Sequence, residues 1–137
     1  MSLSNASENQ ALKMFLQGVD PAYRAGATQY AALVSLAVPD EAAPIAAELT
    51  YTGYARIAIT KATAWTDGGS SFTNAVQFLF GKRTDAGATQ QGKALVIVDT
   101  PSGAITMGII AALADTLDIN LNIQPILAPG DVTISAE

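Results

Sequence analysis

The residues that could do chemistry are few and mostly of one kind. The chain of 137 residues has no His and no Cys, but it has 12 Asp and Glu. Without His it lacks the commonest general base near neutral pH and the commonest transition-metal ligand. Without Cys it lacks a thiolate nucleophile and a soft metal ligand. Ser70 and Ser71 therefore have no base to activate them. Paired carboxylates could support glycoside hydrolysis. The acids lie mostly at turns and strand ends, however, where Asp is favoured for bonding its own backbone. Oxygen ligands on loops suit calcium, and Asp67 and Asp85 are the places for it. Neither stretch carries regularly spaced acids, so solvated turns are the ordinary reading. Asp67-Gly68-Gly69 has no Lys and no following helix, so it is not a phosphate loop. No catalytic residue, metal site or cofactor is expected.

The aromatic residues admit two readings. Tyr51, Tyr54, Trp65, Phe72, Phe78 and Phe80 fall in the middle of the chain. Exposed, such a set could stack on sugars or bases. Alternating on a strand face, they make a core, and the phenylalanines do alternate. Trp65, on a connection, is the one expected at the surface. Arg56 lies opposite Ile57, as a solvated charge or a salt bridge to another subunit.

Composition points to association. Hydrophobic residues make up 50% of the chain and charged ones 14%, against about 25% charged in an ordinary soluble domain. A domain of this size cannot bury so much apolar surface alone, and exposed apolar patches mark interaction sites. Many of these residues are Ala, which sits harmlessly on surfaces. The 7 Lys and Arg are scattered and the net charge is -5, which disfavours nucleic acid as a partner. No apolar run is long enough to cross a bilayer as a helix, and Met1 to Asn5 does not read as a secretory signal. Neither a membrane nor a small-molecule substrate is expected as a partner.

The elements follow from periodicity. Ser4 or Asn5 can cap a helix over 5–17, with Glu8 completing a capping box; Gly18 and Pro21 end it. Ala11, Leu12, Phe15, Leu16 and Val19 form its apolar stripe. The period then changes to two. Strands are expected at 29–38, 53–60, 72–80, 94–98, 104–111, 117–124 and 131–136, with 40–49 a loop and 81–92 a long exposed hairpin tip or surface loop. The segment 94–98 is apolar on both faces, as in a strand covered on both sides. The segment 117–124 has the cleanest alternation. About seven strands with one helix predict a mainly β fold: an antiparallel β-sandwich, jelly-roll-like, over residues 28–137, preceded by a helix and linker over 1–27.

Gly53-Tyr54-Ala55-Arg56, followed by Trp65, Gly68-Gly69, Ser71 and Asn74, resembles a family of small tailed-bacteriophage virion proteins labelled tail fibre or head decoration proteins. Tyr30 to Leu33, Glu48, Ser102-Gly103 and Gly130 extend the likeness over most of residues 28–136. The chain departs from the pattern in the polar stretch 81–92, and after Phe80 it lacks a second Trp-Gly element. The resemblance implies a β-sandwich virion component without catalysis. The leading expectation is a capsid decoration or cement protein on the head exterior. It would be a homo-oligomer that bridges copies of the major capsid protein. A tail fibre or baseplate component of the same fold is the alternative. A carbohydrate-binding module built on Trp65 and nearby tyrosines is a third. The expected interface residues are Leu12, Phe15, Leu16, Arg56 and Trp65.

Overall fold

Strand 94–98 is apolar on both faces because both faces are covered. The computed structural model describes residues 2–135, so Met1, Ala136 and Glu137, at the ends of the expected terminal segments, lie outside the described residues. The elements in chain order are β1 (Ser2–Leu3), α1 (Asn5–Gln17), α2 (Ala22–Ala25), β2 (Thr28–Val34), β3 (Ile57–Thr60), α3 (Lys61–Ala64) and β4 (Trp65–Asp67). They continue with β5 (Ser71–Asn74), β6 (Phe78–Leu79), β7 (Gln90–Val98), β8 (Gly108–Ile119), β9 (Ile126–Leu127) and β10 (Thr133–Ser135). The main sheet is antiparallel in the order β1-β8-β7-β2-β3, and β7 is its centre. A second sheet runs β10-β5-β4, and β6 pairs with β9.

Alternation on β7 divides the apolar residues between two clusters. Leu95 and Ile97 stand opposite Leu33 and Ala31 of β2 and face the main core. The two small sheets close that core with Phe78, Leu127, Val132 and Ile134. Ala94, Val96 and Val98 point the other way, against Val34 and Ile110, under Ile45 and Ile105. The fold is thus mainly β, antiparallel and layered, with the helix expected over 5–17 present as α1.

Asn74 joins the smaller elements. Its side chain is fully buried, donates to the carbonyls of Val76 and Ala128, and accepts from the N–H groups of Gly130 and Val132. These bonds break the strand expected over 72–80 into β5 and β6. The break turns Phe72 to solvent while Phe78 stays in the core. The strand expected over 117–124 also differs. β8 ends at Ile119, and Asn120 to Ile123 is a tight turn closed by Ile123 N–H to Asn120 C=O, with Asn122 at φ 66°. The stretch 81–92 is a surface loop, exposed at Lys82, Thr84 and Ala86 to Thr89, rather than a hairpin tip. Arg83 within it is 1% exposed, and its last residues begin β7.

Candidate functional site

Helix α1 is attached by its small polar face. Ser4 is the N-cap and accepts from Ser7 N–H at 3.3 Å, which puts Glu8 one residue past the capping-box position. The Ser7 hydroxyl is buried. It donates to Gly108 C=O at 3.2 Å and accepts from Gly108 N–H at 2.8 Å. One turn on, Gln10 Nε2 donates to Thr106 C=O at 2.8 Å. The helix therefore sits on the start of β8 through Ser7 and Gln10, with Ala11 and Met14 partly covered on the same side.

The large apolar side chains point away. Leu12 is 57% exposed, Phe15 78%, Leu16 79% and Val19 51%. A helix docked on its own domain ordinarily buries such a stripe, and this one is inverted. The expected interface residues Leu12, Phe15 and Leu16 thus lie together at the surface, and Val19, just past the helix, is exposed as well.

Arg56 is not a solvated charge. Its side chain is 3% exposed, and its partner carboxylate, Glu48, belongs to the same chain. All five N–H donors of the guanidinium are used. Nε and Nη2 bond the two oxygens of Glu48 at 2.8 Å each. Nη1 donates to the carbonyl and hydroxyl of Thr100, and Nη2 also donates to Gly103 C=O. The Tyr54 hydroxyl donates to Glu48 at 2.9 Å and accepts from Leu33 N–H at 3.0 Å. Burial, then the Glu48 charge, pushes the Tyr54 phenol far above its ordinary range, so this donor stays protonated. The network ties the β7–β8 turn to β2 and faces inward.

Trp65 is half-buried, packed edge-on against Phe78 with ring centroids 5.6 Å apart. It borders a groove of about 360 Å³ with Phe72, Ile97, Ile109 and Ile134. The tyrosines expected beside it as a sugar platform are elsewhere. Tyr51 is buried, and Tyr54, partly buried, stacks on Phe80 at the edge of the core. Leu12, Phe15 and Leu16, Arg56, and Trp65 therefore do not form one surface.

Sequence reasoning missed the pair Arg83–Asp85. Arg83 Nη1 donates to Ile119 C=O at 2.7 Å, and Nη2 to Asp85 at 2.7 Å. The other Asp85 oxygen accepts from Thr52 N–H at 2.7 Å. The only local signal was a short Arg-x-Asp spacing between glycines. Asp85 is thereby engaged in holding a loop, and Asp67 accepts from Gly69 N–H as an ordinary turn. Among the described residues, no group of three or more acids could hold a metal ion.

Asp85 also sets a pH dependence. Hydrogen bonds from Arg83 first, then from Thr52 N–H, hold its carboxyl down to about 2. A folded value below the unfolded one of about 3.9 stabilises the chain above roughly pH 4, and that contribution is lost as pH falls toward 2. Asp85→Asn is expected to melt a few degrees below the wild type at neutral pH, with the gap closing between these limits. Melting temperature against pH for both proteins checks this. A gap unchanged down to the acid limit would show that Asp85 ionisation contributes nothing.

A family described as Gp80, podophage GP4 fiber I protein gp80, matches residues 2–135. The chain belongs to this family. The match spans the helix as well as the sheets, so α1 is part of the gp80 pattern. No curated protein matches the chain. The family is one of phage structural proteins, in agreement with the coarser part of the resemblance, that to phage virion proteins.

Proposed function

We propose that this chain is a structural subunit of a podophage tail fibre, working by packing against other copies of itself and against neighbouring virion proteins. One observation carries the reading: α1 is fixed to the body by Ser7 and Gln10 while Leu12, Phe15 and Leu16 face solvent. Such a stripe is stable in water only at a cost that burial against a partner removes, at about 25 cal/mol per Å² before association costs. The fibre description of the family favours the tail over the head. The action is mechanical. The braced body supplies stiffness, and the helix supplies the joint.

Copy number tests the location. Quantitative mass spectrometry of purified virions is expected to give roughly a dozen copies or fewer, as symmetric tail appendages require. Hundreds of copies would instead make the chain a head decoration protein bridging major capsid subunits. Removing residues 1–20 is a poor probe of the joint, because it also removes β1 and the buried Ser4 and Ser7. Substitution of the outward side chains leaves these contacts in place.

A further inference from the structure

The outward row on α1 has the spacing of a seam. Leu12, Phe15 and Val19 are three and four residues apart, with Leu16 beside them, which is the 3-4 alternation by which one helix interdigitates with another. Val19 lies past the Gly18 cap. Its N–H bonds Lys13 C=O, and Gly18 N–H bonds Met14 C=O, so the chain turns back onto the last helical turn and Val19 stands exposed just past the row's end. We infer that this seam packs on the same seam of a second copy, joining subunits through paired α1 helices. The inference rests on the reading of the chain as a self-associating fibre subunit and names the joint.

Three observations favour a second copy over an unlike partner. First, the positions flanking the seam are Asn9, Ala11, Leu16 and Gly18, with no charge among them. Flanking charges are what select unlike partners and repel like ones, and none of these four positions carries one. Ala11 and Gly18 are also small enough for close approach. Second, Glu8 and Lys13 are the only ionised side chains on α1; Glu8 precedes Leu12 by four residues and continues the row at its N-terminal end, so two like seams keep their acids apart when the helices run antiparallel. Third, the area suits repetition. The four side chains expose on the order of 500 Å² per copy, in the range of functional patches. A pair would bury about 1,000 Å², at the lower limit for a specific interface. Such a joint is weak alone and becomes firm when the rest of a particle holds copies side by side.

The absence of native Cys makes the test clean. Single variants Leu12→Cys, Phe15→Cys, Leu16→Cys and Val19→Cys are made in the full chain, with Gln17→Cys as an exposed control on another side of α1. Under mild oxidation at high protein concentration, at least one seam variant is expected to give a disulfide-linked dimer in high yield. Gln17→Cys should remain monomeric on a denaturing gel. Disulfide geometry requires close approach of the two backbones, so the set of positions that link distinguishes parallel from antiparallel helices.

In parallel, sedimentation of the wild type across a concentration series is expected to show reversible association. The Leu12→Ser, Phe15→Ser, Leu16→Ser triple variant should lose it with its circular dichroism unchanged. Oligomers that persist in the triple variant, or seam cysteines that link no better than Gln17→Cys, would overturn the paired-helix joint while leaving the fibre reading standing. A wild type that is monomeric at every concentration would overturn it as well. The fibre reading fails separately, on copy number in the virion.

Discussion

Arg56→Ala is expected to destabilise the chain by about 3–5 kcal/mol, the ordinary cost of removing one member of a buried ion pair. At this chain length that lowers the melting temperature by roughly 10 °C or more. The guanidinium bonds both oxygens of Glu48 and the carbonyls of Thr100 and Gly103, so its loss leaves a carboxylate and two turn carbonyls short of partners. Arg56→Lys separates charge from geometry. An ammonium keeps the charge but has three donors on a flexible stem and cannot fork onto a carboxylate. Most of the loss is therefore expected to remain in the Lys variant. Thermal unfolding of both variants, with hydrogen exchange at residues 99–103, checks this. A change within about 0.5 kcal/mol, typical of an exposed substitution, would show that the network does not brace the turn.

Arg56 also shows how far the sequence could be read. Its place opposite Ile57 was visible, but charged residues are almost never fully buried unless paired, and Glu48 lies eight residues away across a loop. Only the fold brings them together. Arg83 was hidden in the same way, inside a stretch whose polarity reads as surface. The central strand was legible because its neighbours on both faces are apolar, and continuous Val and Ile survive only under double cover. The helix was legible in its bounds because Ser4, Gly18 and Pro21 act locally. Alternation misled twice. Leu121 and Ile123 continue the period of β8 beyond its end, although both are about half-exposed on a turn. Phe72 and Phe78 share a parity that Asn74 interrupts by bonding Val76 C=O. A two-residue period records only which side chains would share a face if the strand continued. It carries no signal of a side chain that captures the backbone and ends it. The outward stripe of α1 was legible as a stripe, but its direction was set by Ser7 and Gln10, whose bonds to Gly108 and Thr106 are contacts about a hundred residues apart.

The Gly-Tyr-Ala-Arg segment acquires a physical meaning from its first residue, and Gly53→Ala is expected to affect folding about as much as Arg56→Ala. Gly53 sits at φ 102°, and a Cβ there would lie 2.2 Å from the carbonyl oxygen of Lys82. The crossing is reciprocal, because a Cβ on Gly81 would lie 1.8 Å from the carbonyl oxygen of Gly53. Both obstacles are backbone, so neither can rotate away. The crossing is held by Tyr51, whose hydroxyl donates to Gly81 C=O at 2.9 Å, and by Tyr54 stacked on Phe80. Forcing the two segments apart would drag Tyr54 from Glu48 and loosen Arg56 with it. A loss on the order of 4 kcal/mol is expected, in the range reserved for strain at a special backbone position, with much of the protein insoluble. Gly69→Ala provides the control. Gly69 has a similar φ of 90° but nothing within 4 Å of an added Cβ, so it bears only the conformational cost of about 1–2 kcal/mol. Chemical unfolding of the two variants, each compared with the wild type, measures the difference. Equal losses would mean that the dihedral alone demands glycine and that the crossing has room. A much larger loss at Gly53 would identify the backbone contact with Lys82 as what this segment exists to permit, with Tyr54 and Arg56 as the side chains that lock it.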